Sequence, residues 1–385
     1  MRKLFYMVAA AMLAVPASAD ASVHATSSPW TQTWNAAIDH GVPVGPWTNQ
    51  TLRMEETTSI GGTQLRIDLS NEFSTSPVTF AHVSVAQQLN GAKTAATPIA
   101  ATFGGNTAVT LAAGAETTSD AVSFPTTPGE RLLVSLYIPS TVSVPNANAH
   151  TYSNETEYNI VNQDGSMATN PPVNNVFGFT SYLNGLDVDA AAPQTVVAAG
   201  DSITDTGGTP IDTDTRWINY LGRRTGFAVV NEGISGNQVM QDLGAGGGPS
   251  LQHRWQHDVL NVPGVRTVID EGGINDLRAG ASAASLETAQ QGLVNSAHTA
   301  GLRILLSTIT PCSGASLCTP AFETQRQAYN AWVRAGTSGA DAVVDFDAAV
   351  GAGAALNPMY DDGGHIHPNS AGMQSMGNAI NTSQL

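Results

Sequence analysis

Basic side chains and cysteines are scarce in this 385-residue chain. Fifteen Lys and Arg stand against 31 Asp and Glu, a formal net charge of −16. A polyanionic partner requires basic patches, so this balance argues against nucleic acid and against docking on anionic membranes. Charged residues make up only 12% and hydrophobic residues 42%, which excludes a highly charged disordered chain. Beyond the first residues no apolar run has the length of a membrane span, and no fixed-period repeat is apparent.

What is present at the start is an address. Arg2 and Lys3 precede an apolar run from Leu4 to Val15, and Ala17-Ser18-Ala19 precedes Asp20. The run is too short to cross a bilayer and the small residues suit signal peptidase. Residues 1–19 are therefore expected to be a signal peptide cleaved after Ala19, leaving a secreted or periplasmic protein without a membrane anchor. Once Arg2 and Lys3 are removed, 13 basic side chains face 31 acidic ones, a formal charge of −18. In an exported chain the two cysteines, Cys312 and Cys318, most simply close a small loop as a disulfide. A metal site would need more ligands.

The length favours two globular domains. From residue 20 to about 185 the chain reads as strands. Leu65, Ile67 and Leu69 alternate with Arg66 and Asp68, Val83 and Val85 flank Ser84, Val109 and Leu111 flank Thr110, and Val134, Leu136 and Ile138 keep the two-residue period. Gly61-Gly62, Gly104-Gly105 and Pro128-Gly129 supply turns between them. An all-β sandwich, jelly-roll-like, is expected there. From 193 to 385 short apolar runs alternate with amphipathic segments. Strands are expected at Thr195–Ala199, Ala228–Val230, Val265–Ile269, Ile304–Ile309 and Val343–Phe346. Helices are expected at Trp217–Leu221, Leu251–Leu260, Ala283–Ala300, Phe322–Arg334 and Ser370–Ile380. That alternation implies an α/β domain with a parallel sheet covered on both faces, and reactive groups at the carboxyl ends of its strands.

Four segments at those ends carry chemistry. The first strand runs into Gly200-Asp201-Ser202-Ile203. A serine hydroxyl is a weak nucleophile, so it needs a base and donors for the oxyanion; the same serine could simply cap a helix. Gly236, after the second strand, lets a backbone N–H approach a substrate because no Cβ intervenes, or it is a turn glycine. Asn275, after the third, can donate from its side-chain amide, while Asp276 reads better as a cap of the segment that follows. Before the last helix, His365 and His367 are both candidate bases.

Gly200-Asp201-Ser202-Ile203, Gly236, Gly273-Ile274-Asn275-Asp276 and His367-Pro368, in that order, closely resemble the four blocks of SGNH hydrolases, also called GDSL esterases. The resemblance spans Thr195 to Leu385. It implies a flavodoxin-like three-layer α/β/α sandwich. It implies Ser202 as nucleophile and, through its backbone N–H, as one oxyanion donor, with Gly236 and Asn275 as the others and His367 as base. One position departs from the pattern: Gly364 stands three residues before His367, where the family usually has the aspartate that orients the imidazole. Asp362 is the favoured substitute, with Asp361 or a backbone carbonyl as alternatives.

The expected activity is hydrolysis of carboxylic esters through an acyl-serine, with short acyl or acetyl esters as substrates and carbohydrate as a candidate carrier of them. No residue pattern calls for a cofactor or metal. Two other readings remain: a noncatalytic carbohydrate-binding or surface protein with a degenerate triad, and an acyltransferase using the same residues. His253 and His257 have metal-ligand spacing but Arg254 stands where a zincin needs glutamate, so a solvated helix face is expected. Asp205, Asp212 and Asp214 read as a polar rim, and Trp30, Trp34 and Trp47 as packing rather than a sugar platform.

Overall fold

The computed structural model describes residues 30–40, 45–142, 149–151, 153–190, 194–244 and 246–385. The expected signal peptide, residues 1–19, lies outside the described residues.

The N-terminal part is built from antiparallel strands: β1 (Thr31–Asn35), β2 (Gln50–Thr57), β3 (Gln64–Ser70), β4 (His82–Asn90), β5 (Arg131–Ile138), β6 (Glu157–Val161) and β7 (Leu183–Val188). In one sheet β7 pairs with β1 on one side and β3 on the other; in the second the order is β6-β2-β5-β4. The inward-facing Leu65, Ile67 and Leu69 of β3 meet Val83 and Val85 of β4 and Val134, Leu136 and Ile138 of β5 in a single core. The two-residue period that marks these strands in the sequence is thus the pleat that turns these apolar residues toward the core, although β5 also buries Leu133 and Ser135 on its other face.

The C-terminal part alternates as expected. Its elements are β8 (Thr195–Gly200), α1 (Ser202–Asp205), α2 (Trp217–Thr225), β9 (Ala228–Gly233), α3 (Leu251–Trp255), β10 (Val265–Asp270), α4 (Ile274–Arg278), α5 (Ala283–Thr299), β11 (Arg303–Ser307), α6 (Pro320–Arg334), β12 (Ala342–Val344), α7 (Phe346–Val350) and α8 (Ser370–Ala379). The five strands are parallel in the order β9-β8-β10-β11-β12. The chain steps from β8 to β9 and then back across β8 to β10. Right-handed crossovers therefore put α2 on one face and α3, α5 and α6 on the other. The contacts agree: α2 and α7 pack on α8, and α4, α5 and α6 pack together. This is the flavodoxin-like strand order, whose switch point lies between β8 and β10. The strand interiors Val196–Ala199 and Ile304–Leu306 are continuous apolar runs because both faces are covered.

Local chemistry explains where the elements stop. Thr319 caps α6 by accepting the Phe322 N–H, and Pro320 occupies the first turn where a missing N–H costs nothing. The expected strand Val343–Phe346 ends at Val344 because the Asp345 side chain accepts the Ala348 N–H and opens α7. The single helix expected over Leu251–Leu260 changes to a π turn at Gln256–Leu260. The two parts are joined broadly: Ala36 bridges to Asn231 of β9, and Arg216 reaches Glu155 at 3.2 Å and Arg131 reaches Asp214 at 3.1 Å across the boundary.

Candidate active site

Ser202 opens α1 at the end of β8. The Asp201 side chain accepts the Ile203 N–H at 3.1 Å and caps the helix, so Ser202 itself is not the cap. Among the described residues the Ser202 N–H has no hydrogen-bond partner, as expected at a helix start. The turn tolerates no side chain at its first position: a Cβ on Gly200 would lie 2.6 Å from both Glu271 Oε2 and Thr204 Oγ1. Those two groups bond each other at 2.9 Å beneath the serine.

The ends of β9 and β10 stand on either side of β8. Gly236 has φ +81, and a Cβ there would sit 2.5 Å from the Gly246 carbonyl oxygen; its N–H has no partner among the described residues. Asn275 donates one amide hydrogen to the Asn237 carbonyl at 3.0 Å, while its Oδ1 accepts from Arg278 Nη1 at 2.9 Å. An amide has two N–H donors, so one remains for a ligand. Asp276 does not cap its own segment. Its carboxylate accepts the Val239 and Met240 N–H groups at 2.8 and 3.1 Å, fixing the loop that follows Gly236.

His367 stands between the Asp361-Asp362-Gly363-Gly364 turn and α8. Its Nε2 lies 2.9 Å from Ser202 Oγ. The two loops are tied behind the side chains, where the Gly208 N–H donates to the Pro368 carbonyl at 3.0 Å. His365 is instead exposed and bound through Nδ1 to Asp361 at 2.7 Å. Geometry therefore distinguishes the two histidines that spacing left equal. Asp362 Oδ2 faces His367 Nδ1 across 3.9 Å, an ion-pair separation longer than a hydrogen bond, and its Oδ1 accepts the Gly364 N–H at 2.7 Å. Burial pushes the His367 pKa below the ordinary imidazole value; Asp362 pulls against that shift, Arg278 adds to it and Asp205 opposes it.

Cys312 and Cys318 are joined by a disulfide. The loop it closes reaches the site, because Arg278 Nη2 donates to the Ser316 carbonyl at 3.1 Å while holding Asn275. Two further residues, Arg278 and His150, escape the motif reading. Asp205 ends α1 and accepts from His150 Nε2 at 2.8 Å and from Ser235 Oγ at 2.6 Å. Asp212 and Asp214, read as part of the same rim, bind Thr156 and Arg131 of the β domain. Arg278 lies one helical turn after Asn275, a signal that could have been noticed; nothing around His150 announces a role.

The other candidates have structural explanations. Trp30, Trp34 and Trp47 are buried, and Trp34 Nε1 donates to Glu155 at 3.0 Å. His253 pairs with Asp242, while His257 is half-buried and bonds Asp258 and Glu116 through its two ring nitrogens. Ligand atoms of Glu72, Glu116 and His257 lie within 4.8 Å of one another. Hydrogen bonds to Asp258 and Glu116 push the His257 pKa up to about 11. A cavity of 490 Å³ between the domains, lined by Trp34, Arg216 and Asn219 among others, does not include Ser202 or His367.

Residues 198–375 match the model of the GDSL-like lipase/acylhydrolase family. Among solved structures, a carbohydrate acetylesterase from Sinorhizobium meliloti aligns at 15% identity and TM-score 0.41, over 49% of this chain and 96% of that one. The aryl esterase of M. smegmatis aligns at 17% identity and TM-score 0.41, over 48% and 95%. An acetyl xylan esterase from Geobacillus stearothermophilus aligns at 24% identity and TM-score 0.37, over 48% and 91%. No curated protein matches the chain.

Proposed function

The C-terminal half of this chain belongs to the GDSL-like lipase/acylhydrolase family, and from that premise we propose that the protein is a secreted serine esterase with Ser202 as nucleophile and His367 as base. The observation that carries the reading is the 2.9 Å approach of Ser202 Oγ to His367 Nε2. In the first step Oγ attacks the ester carbonyl carbon and its proton passes to His367 Nε2. The resulting oxyanion takes hydrogen bonds from the N–H groups of Ser202 and Gly236 and from Asn275 Nδ2. Collapse breaks the bond to the alcohol, which leaves with the proton from His367. Water then loses a proton to His367 and attacks the acyl-Ser202 carbonyl; the bond to Oγ breaks, the acid leaves, and the proton passes from His367 back to Ser202 Oγ. Asp362 serves as the group that stabilises the imidazolium, at ion-pair distance.

Short acyl or acetyl esters, including those borne on carbohydrate, are the proposed substrates. The expected export and the added β domain motivate this choice, and the Cys312–Cys318 bridge fits an oxidising compartment. The test is hydrolysis of a short-chain aryl ester and of an acetylated xylo-oligosaccharide by the purified protein. Ser202→Ala should lower kcat by roughly 10³-fold or more. Turnover undiminished in Ser202→Ala would refute the reading.

A further inference from the structure

We propose that His150 of the β domain is a positioning residue for this reaction: through Asp205 it holds the Ser202 helix and the Ser235-Gly236 turn in one arrangement. The inference rests on the acyl-serine reading above and assigns the β domain a part in the chemistry of that site.

Asp205 lies in α1, the short helix that begins with Ser202. Its Oδ2 accepts both the Ser235 N–H at 3.0 Å and the Ser235 hydroxyl at 2.6 Å. Ser235 immediately precedes Gly236, so one carboxylate spans from the nucleophile's helix to the turn that presents an oxyanion donor. The other oxygen, Oδ1, is occupied by His150 Nε2 at 2.8 Å, and both side chains are 1% exposed. His150 comes from the opposite domain, on the short strand Ala149–His150 that pairs with Thr180–Ser181.

The protonation state follows from the partners. His150 Nδ1 faces the Ala37 carbonyl oxygen at 2.6 Å, which can only accept, and Nε2 faces a carboxylate. Both ring nitrogens must donate, so the ring is an imidazolium. Burial opposes that charge, but Asp205 and then Asp39 outweigh it and hold the pKa near 9. A buried charge of this kind persists only when paired. Arg216 reinforces the same helix by donating to the Asp205 carbonyl at 3.5 Å and to the Ser153 carbonyl of the β domain at 3.2 Å.

The arrangement has an electrostatic consequence at the base. Three charged groups act on His367: Asp362, Arg278 and Asp205. While His150 neutralises Asp205, the effect of that carboxylate on His367 is partly cancelled. Removing the imidazolium frees it, and the His367 imidazolium becomes easier to form.

The experiment compares full-length wild type, His150→Ala and His150→Gln on a short-chain aryl ester. The burst of alcohol release counts functional serines, and kcat is expressed per burst site. In His150→Ala we expect kcat per site to fall about 10- to 100-fold, the size of a small misplacement of reacting groups, with KM within about twofold. The acidic limb of its kcat/KM profile should move to higher pH. His150→Gln, which keeps a donor toward Asp205 but not the charge, should recover part of kcat and retain the shifted limb. An unchanged kcat per site with an unmoved limb would overturn the proposal, as would a loss confined to the number of burst sites. Should His150→Ala fail to fold, Ser235→Ala removes one bond to Asp205 without disturbing the domain interface. Its kcat per site should also fall, and an unaltered value would overturn the proposal. A wild type that turns over without forming an acyl-enzyme would remove the reading on which this rests, and is distinguished from the other outcomes because no variant is needed to see it.

Discussion

Ser202 and His367 are 165 residues apart in sequence and meet at 2.9 Å. As the proposed base, His367 works only as the neutral imidazole. Since burial lowers its pKa, activity should persist below the pH at which an ordinary histidine becomes protonated, near 6.5. Asp362 raises that pKa, so Asp362→Asn should move the acidic limb of kcat/KM to still lower pH. The same change should reduce kcat by about 10²- to 10⁴-fold if the carboxylate stabilises the imidazolium. A limb that stays in place, with kcat intact, would show that Asp362 does not act on His367. The proposed acid has a geometric basis: Gly364 stands where an aspartate was expected, and Asp362, two residues earlier, is a carboxylate that faces Nδ1.

At the scale of elements, the C-terminal half was legible because its signals are local. Buried parallel strands such as Ile304–Leu306 are continuous apolar runs, and the amphipathic segments between them become α2, α5, α6 and α8. The turns after β8, β9 and β10 could be found because a nucleophile turn and close backbone approaches demand particular residues, as the Gly200 and Gly236 contacts show. The β half was less legible. β3 and β5 bury alternate apolar residues and could be read directly, but β1, Thr-Gln-Thr-Trp-Asn, is buried throughout with hardly an apolar residue. β2 buries Arg53, Glu55 and Glu56. Arg53 is satisfied by Ser135 Oγ and the carbonyls of Ala92, Gly165 and Ala168, so its burial depends on distant loops that no window of sequence contains. The relay from His150 to Asp205 was hidden for the same reason, since it crosses the domain boundary.

Across the whole molecule, the described structure buries many acidic groups. Glu157, Asp201 and Asp270 each have pKa values pushed up to about 7, chiefly by burial. Burial also raises Glu56 and Glu232, which gain further from Glu155 and Asp258 respectively. A carboxyl whose folded pKa exceeds its unfolded value stabilises the fold fully below the unfolded value, and that contribution is lost as pH rises through the folded pKa. His150, raised to about 9, adds a contribution present below its unfolded value and lost as pH rises toward 9. The melting temperature should therefore be higher near pH 5 than near pH 8 in calorimetry at constant ionic strength; a higher value at pH 8 would contradict this balance. The chemical claim at the centre is tested most directly by mass spectrometry of the intact protein after exposure to an active-serine phosphonate, followed by peptide mapping. The account predicts one adduct per chain, on Ser202, absent from Ser202→Ala and slowed in His367→Ala. An adduct on another residue, or undiminished labelling of Ser202→Ala, would contradict it.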